Sequence, residues 1–302
     1  MKNNRLGTSG LIVSEIGLGC MSLGTEEAPA IRLIHEALDQ GVNLLDTADL
    51  YDAGRNEEIV GKALEGRRRE DIILATKVGN RRIPGQEGWV WDPSPDYIKS
   101  AVKESLRRLR TDYIDLYQLH GGTIDDPIDE TIGAFEDLKR EGWIREYGIS
   151  SIRPNVIREF VKRSNIVSVM TQYSPLDRRP EEEVLDLLEQ SGISAIARGP
   201  VAQGILSGKG ESKAEKGYLG YDRDELLRIL DQLKQLDADV DLTHLGIRYA
   251  LAPAAVACTI PGASSAGQLA HNLEAGKREP LSPQVIQRIQ AITRANKYEL
   301  HR

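Results

Sequence analysis

Eight short apolar runs, spread over the whole chain and each followed by an amphipathic stretch, limit the possible folds more than any other feature. The runs are EIGLG (15–19), VNLLD (42–46), IILAT (72–76), YIDLYQL (113–119), IREYGI (144–149), VSVMT (167–171), ISAIA (193–197) and VACTI (256–260). Most are apolar at both odd and even positions, the pattern of parallel strands buried on both faces. Between them, apolar residues recur at three- and four-residue steps, as Ile98, Val102, Leu106 and Leu109 do behind Ser94-Pro95, a helix cap with proline at the first helical position. Comparable helices are expected at 29–40, 56–65, 128–141, 154–163, 180–190, 224–238, 242–252, 265–275 and 283–297. Eight strand–helix units with no linker predict one α/β domain over residues 1–302. Its form would be a (β/α)₈ TIM barrel with a short N-terminal β-hairpin and long loops on its C-terminal face. Segments 80–94 and 206–222 are the long loops, candidates for lids.

Several function classes are disfavoured. The glycines of GLGCMSLG (17–24) do not fit the G-x-G-x-x-G spacing of a doubly wound dinucleotide fold. A formal net charge of −7, with Lys and Arg scattered, argues against a nucleic-acid partner. No run approaches the ~18 apolar residues of a spanning helix, and MKNNRLGTSGLIVSEIG lacks the apolar block of a signal peptide. The two cysteines, Cys20 and Cys258, suggest no disulfide framework. A cytoplasmic protein without a membrane partner is therefore expected, and a monomer, since nothing in the sequence reads as a dimer seam.

In a barrel of this kind the active site lies at the C-terminal ends of the strands. The runs end on Asp46 (with Tyr51 close behind), Lys77, His120, Ser150-Ser151, Gln172, Arg198 and Pro261-Gly262-Ala263-Ser264-Ser265. Singly, each has a structural explanation: Asp46 as a helix cap, Lys77 at a barrel rim, His120 as an edge residue. Together they describe a proton-donating site. The phenol of Tyr51 titrates near ~10 when free, and a nearby Lys77 would lower that value. Asp46 would hold Lys77 in place, and His120 could donate to a substrate oxygen. Asp46, Asp49 and Asp52 lack the pattern of a calcium loop. The five histidines, His35, His120, His244, His271 and His301, are dispersed along the chain, so no metal is expected.

The chain resembles the aldo-keto reductase family, most closely its bacterial NADPH-dependent aldehyde reductases. The motifs GLGCMSLG, LLDTADLYDAGRNEEIVGKAL, LATKVG, YIDLYQLHG, GISS, TQYSPLDRR, GPVAQGILSGK and IPGASSAGQLAHNL carry the resemblance in family order. It implies a catalytic tetrad of Asp46, Tyr51, Lys77 and His120, with Tyr51 as the general acid while hydride passes to an aldehyde, or a ketone, from NADPH or NADH. It also implies a cofactor lying across the barrel mouth. Ser150, Ser151 and Gln172 would meet the carboxamide; Cys20, Met21 and Asp46 would lie near the nicotinamide ribose. Gly199, Val201, Gly204, Leu206 and Lys209 would wrap the pyrophosphate, and Gly262, Ala263, Ser264, Gln268 and Asn272 would hold the adenosine end. Arg198 departs from the aromatic residue common at its position, and its guanidinium would stack on the nicotinamide instead. The uncharged Ser264, Ser265 and Gln268 stand where a cation often meets the 2′-phosphate. Trp89 and Trp91, with Tyr97 nearby, would line a substrate pocket without an arginine clamp, suited to small or lipid-derived aldehydes and so to detoxification. The rival expectations are a non-catalytic NADP-binding sensor of the same fold and a metal-dependent barrel hydrolase.

Overall fold

The computed structural model describes residues 1–83, 85, 87–236 and 241–302. Two expectations run beyond these: the last two residues of the helix expected at 224–238, and Pro84 and Gln86 of the first long loop, lie outside the described residues. The chain opens with an antiparallel hairpin, β1 (Asn3–Arg5) and β2 (Ile12–Ser14). Three strands follow, β3 (Leu18–Gly19), β4 (Leu44–Asp46) and β5 (Ile73–Val78). A small antiparallel pair, β6 (Asn80–Arg81) and β7 (Val90–Trp91), comes next. The remaining strands are β8 (Ile114–Leu119), β9 (Ile144–Ser150), β10 (Ser168–Gln172), β11 (Ser194–Arg198) and β12 (Val256–Ile260). Each coincides with one of the apolar runs, and the order β3-β4-β5-β8-β9-β10-β11-β12 is parallel throughout.

Closure depends on single bridges rather than a full ladder. Ile16 pairs with Thr259 and Gly19 with Gly262, and Gly17 donates to the Thr259 carbonyl at 2.8 Å. The chain approaches itself tightly here: a Cβ on Gly19 would lie 3.0 Å from the Ile260 carbonyl oxygen. The (β/α)₈ barrel is thereby complete.

The helices clothe the outside: α1 (Glu27–Asp39), α2 (Arg55–Leu64), α3 (Pro95–Leu109), α4 (Ile128–Arg140), α5 (Pro154–Arg163) and α6 (Val184–Gln190). After β11 come α7 (Gly210–Lys213), α8 (Arg223–Lys234) and α9 (Leu242–Ala250), and after β12, α10 (Ala266–Glu274) and α11 (Pro283–Ile292). Ser94 caps α3 as expected, its hydroxyl accepting from the Tyr97 amide. The core has two layers. Leu44, Ile73, Leu116, Met170 and Ile196 fill the barrel, and Leu6, Leu11 and Val13 of the hairpin pack on them to seal the N-terminal end. A larger apolar layer lies between strands and helices.

Two expected elements differ. The helix expected at 180–190 begins as a 3₁₀ turn, Arg179–Glu182, and restarts at Val184 after Glu183, whose φ of −155° is not helical. The last helix stops at Ile292, not 297, because Thr293 is extended and its hydroxyl bonds back to the Ile289 carbonyl. The chain beyond it is tied down elsewhere: Asn296 accepts from the Arg178 amide at 2.8 Å, and Tyr298 is buried.

Candidate active site

The strand ends converge on one mouth. Asp46 is the last residue of β4, Lys77 lies one residue from the end of β5, and His120 follows β8 directly. Lys77 is buried, and its Nζ donates to three acceptors: Asp46 Oδ2 at 2.7 Å, the Thr47 carbonyl at 2.7 Å and Tyr51 Oη at 3.1 Å. An ammonium has three protons, so Lys77 is fully committed. The Tyr51 oxygen accepts one of them, which leaves its own O–H free to point into the cavity. The Tyr51 and His120 rings meet edge to face at 5.9 Å. A tight 3₁₀ turn, Tyr51–Gly54, presents the phenol, with Asp52 (φ 48) and Ala53 (φ 56) both left-handed.

Electrostatics at the mouth is governed by burial. Burial alone would pull the Lys77 ammonium down, but Asp46 and Tyr51 outweigh it and hold it above its ordinary value. Burial pushes the Asp46 carboxyl up against the pull of Lys77; the three filled Lys77 donors support the ion-paired form. For Tyr51 the sequence-based expectation needs correcting. Burial raises the phenol above its ordinary value, and the opposing pull of Lys77 does not reverse it. His120 is brought down to about 3 by burial and by the Lys77 and Arg198 cations, so its ring is neutral and can donate without carrying charge.

These groups form one wall of a cavity of about 1210 Å³, above the range of most small-molecule pockets. Met21, Ser150, Ser151, Gln172, Arg198, Gly199, Val201, Gly204, Lys209, Gly262, Ser264, Gln268, Asn272, Trp89 and Trp91 all border it. Gln172 links two strand ends to the second long loop. Its Oε1 accepts from Arg198 at 2.8 Å, and its Nε2 donates to Tyr218 Oη at 2.8 Å.

The aldo/keto reductase family model matches residues 15–294. The chain belongs to the aldo/keto reductase family. A relative from Bacillus subtilis (strain 168), described as uncharacterized oxidoreductase YqkF, is 56% identical over 100% of both chains. The holo form of aldo-keto reductase AKR11C1 from Bacillus halodurans is 59% identical, with a TM-score of 0.96 over 100% of this chain and 99% of that chain. The NADH-specific methylglyoxal reductase of Escherichia coli (strain K12) is 31% identical over 91% of this chain and 93% of its own length.

Aldo-keto reductases use nicotinamide cofactors, and the cavity suits one. Asp46 Oδ1 and His120 Nδ1 are buried without a hydrogen-bond partner among the described residues. Gly199 (φ 65) and Gly204 (φ 90) keep the loop backbone bare at the wall, and Lys209 and Lys213 bring positive charge beside it. That donor set fits an anionic dinucleotide.

Some expectations need correction. Cys20, Leu206 and Ala263 are buried and do not border the cavity, because each turns an apolar side chain into the packed layer behind it. Burial and the nearby Asp46 hold the Cys20 thiol well above its ordinary value. Tyr97 does not border the cavity either; it packs outside the mouth, with its hydroxyl on Asp49 at 3.1 Å. Trp91 lies over Gly79 and Gly121 with its indole N–H on Asp126 at 2.9 Å, while Trp89 is about half exposed. An arginine does border the cavity: Arg153, whose guanidinium donates to the Gly122 carbonyl at 2.6 Å. Arg153, Lys213 and Tyr218 escaped the sequence reading because none ends a strand. The loop richness in Gly, Lys and Glu was the available signal for the last two.

Proposed function

We propose that this aldo-keto reductase acts as one barrel domain and a monomer, in the cytoplasm, reducing small or lipid-derived aldehydes, and ketones less readily, to alcohols with NADPH. The observation that carries this reading is the Tyr51 oxygen. It accepts from the Lys77 ammonium at 3.1 Å, so its own proton is free to be donated into the cavity. A reduced nicotinamide, when bound in the groove, would supply the hydride for the carbonyl carbon. Tyr51 gives its proton to the carbonyl oxygen as negative charge develops there. Lys77 then faces a phenolate, and attraction that was modest in the ground state becomes strong in this buried setting. Its catalytic effect is therefore on the transition state, which is compatible with a phenol that titrates high at rest. Asp46 fixes Lys77, and neutral His120 orients the carbonyl.

Ser150, Ser151 and Gln172 would hold the carboxamide end of the cofactor, Lys209 the pyrophosphate, and Ser264, Gln268 and Asn272 the adenosine end. The family resemblance is what supports NADPH over NADH, since Lys209 would meet the pyrophosphate that both cofactors carry. The name of the NADH-specific relative makes NADH the alternative.

The test is spectrophotometric: consumption of NADPH and of NADH with a panel of aldehydes, methylglyoxal included. Turnover with NADPH preferred in kcat/KM is expected. Cofactor binding with no turnover on any member would overturn the proposal in favour of a sensor.

A further inference from the structure

Histidines that stand apart in the sequence meet in space behind the cofactor groove. Asp241 caps α9, accepting from the His244 amide at 2.9 Å. His271, on α10, places Nε2 at 3.1 Å from Asp241 Oδ1 and 3.0 Å from Oδ2. The His244 and His271 rings lie 4.7 Å apart.

The orientation of His244 is decisive. Its Nε2 lies 3.0 Å from the His271 carbonyl oxygen, which can only accept, so Nε2 carries the hydrogen. In the neutral ring Nδ1 then holds a lone pair, and it faces Asp241 Oδ1 at 3.9 Å. That separation is too long for a hydrogen bond, so no proton bridges the two. Two acceptors confront each other across a gap that suits a cation.

We propose that Asp241, His244 and His271 bind a divalent transition-metal ion of the Zn²⁺ class. Two imidazoles and a carboxylate are ligands of suitable softness, and waters would complete the coordination. Bonds of ~2.0–2.1 Å put tetrahedral ligand atoms roughly 3.3 Å apart. Through Asp241 Oδ1 the contacts are 3.1 Å to His271 Nε2 and 3.9 Å to His244 Nδ1, which bracket that value, and all three ligand atoms lie within 4.8 Å of one another. Half-exposed His271 has room to turn inward. The hydrogen bond from His244 Nε2 to a backbone carbonyl is the outer support that metal-bound histidines carry. The ion would pin the first turn of α9 to α10, whose His271 borders the cavity.

Chelator-treated full-length protein, titrated with Zn²⁺ by calorimetry and with Co²⁺ by visible absorption, tests the site. One ion per chain is expected, with ligand-field bands for Co²⁺ and a thermal midpoint that rises with added Zn²⁺. His271→Ala, at a surface position where folding is not at risk, should weaken Zn²⁺ binding by roughly 100-fold or more. His301→Ala, an exposed histidine outside the cluster, should leave it unchanged. Absence of saturable one-to-one binding, or binding that survives His271→Ala intact, would overturn the proposal.

Discussion

His120 and Asp49 are the residues whose titration most sharply tests the electrostatic account. Because His120 titrates at about 3, its ring stays neutral through the range where a free histidine would change charge. Tyr51, held above its ordinary value, keeps its proton across neutral pH. The profile of kcat/KM is therefore expected to show no limb from His120 near pH 6.5 and to fall only on the alkaline side, above pH ~10. A limb near neutrality that vanishes in His120→Gln would contradict this.

Asp49 makes the opposite kind of prediction. Burial and neighbouring Glu57 push its carboxyl up to about 7, so the folded state holds this proton more tightly than the unfolded chain. Stability is lost as pH rises from the unfolded value of ~3.9 toward 7, and the penalty is complete above that. Asp49→Asn keeps an acceptor for Tyr97 and should stabilise the fold at pH 8 but not at pH 4, by up to roughly 4 kcal/mol, read as a higher thermal midpoint at pH 8 alone. Asp46, Lys77 and His120 were legible as residues because each ends an apolar run. The direction of the Tyr51 shift was not, because spacing shows a nearby cation but not the depth of burial that outweighs it.

Among the elements, the turns and loops of the mouth carry the strain and the control. Two consecutive left-handed pairs of non-glycine residues flank the cavity, Asp52-Ala53 after β4 and Ala202-Gln203 after β11. Each such residue costs of order 1–3 kcal/mol. Ala53→Gly relieves one of them and should raise stability by on the order of 1 kcal/mol while loosening the turn that presents Tyr51, so kcat falls. Calorimetry beside steady-state kinetics checks both. Tyr218→Phe removes the acceptor through which Gln172 holds the second long loop. Faster cofactor release is expected in stopped-flow fluorescence, and an unchanged rate would show that the link does not latch the loop. Strands and outer helices were legible because their periodicities repeat. The β6–β7 pair and α7 were not: two strands of two residues and a helix of four are set by local contacts, such as the Trp91 ring over Gly79. A Cβ on Gly79 would lie 2.6 Å from that ring, so the hairpin depends on a glycine that the sequence alone does not distinguish.

At the scale of the molecule, eight parallel strands closed by the Ile16–Thr259 and Gly19–Gly262 bridges bring Asp46, Tyr51, Lys77 and His120 to one opening. Closure also brings together histidines that looked dispersed, since His244 and His271 belong to neighbouring helices of the outer ring. Largely buried ion pairs tie neighbouring elements together: Arg108 of α3 with Glu57 of α2 at 2.7 Å, where Glu57 also accepts from Thr76 of β5 at 2.6 Å, and Arg69, just before β5, with Asp115 of β8 at 2.7 Å. Among the described residues, no helix is long and apolar enough to cross a membrane. The overall architecture was legible because chain order alone fixes neighbours in a parallel barrel. The cavity wall was less so, because its composition depends on which loop residues face inward. Tyr51→Phe, assayed for aldehyde-dependent NADPH oxidation and for NADPH affinity by fluorescence titration, is the most direct test. A fall in kcat of ~10²–10⁴-fold with affinity unchanged is expected. Undiminished turnover, or a loss confined to cofactor binding, would contradict the account.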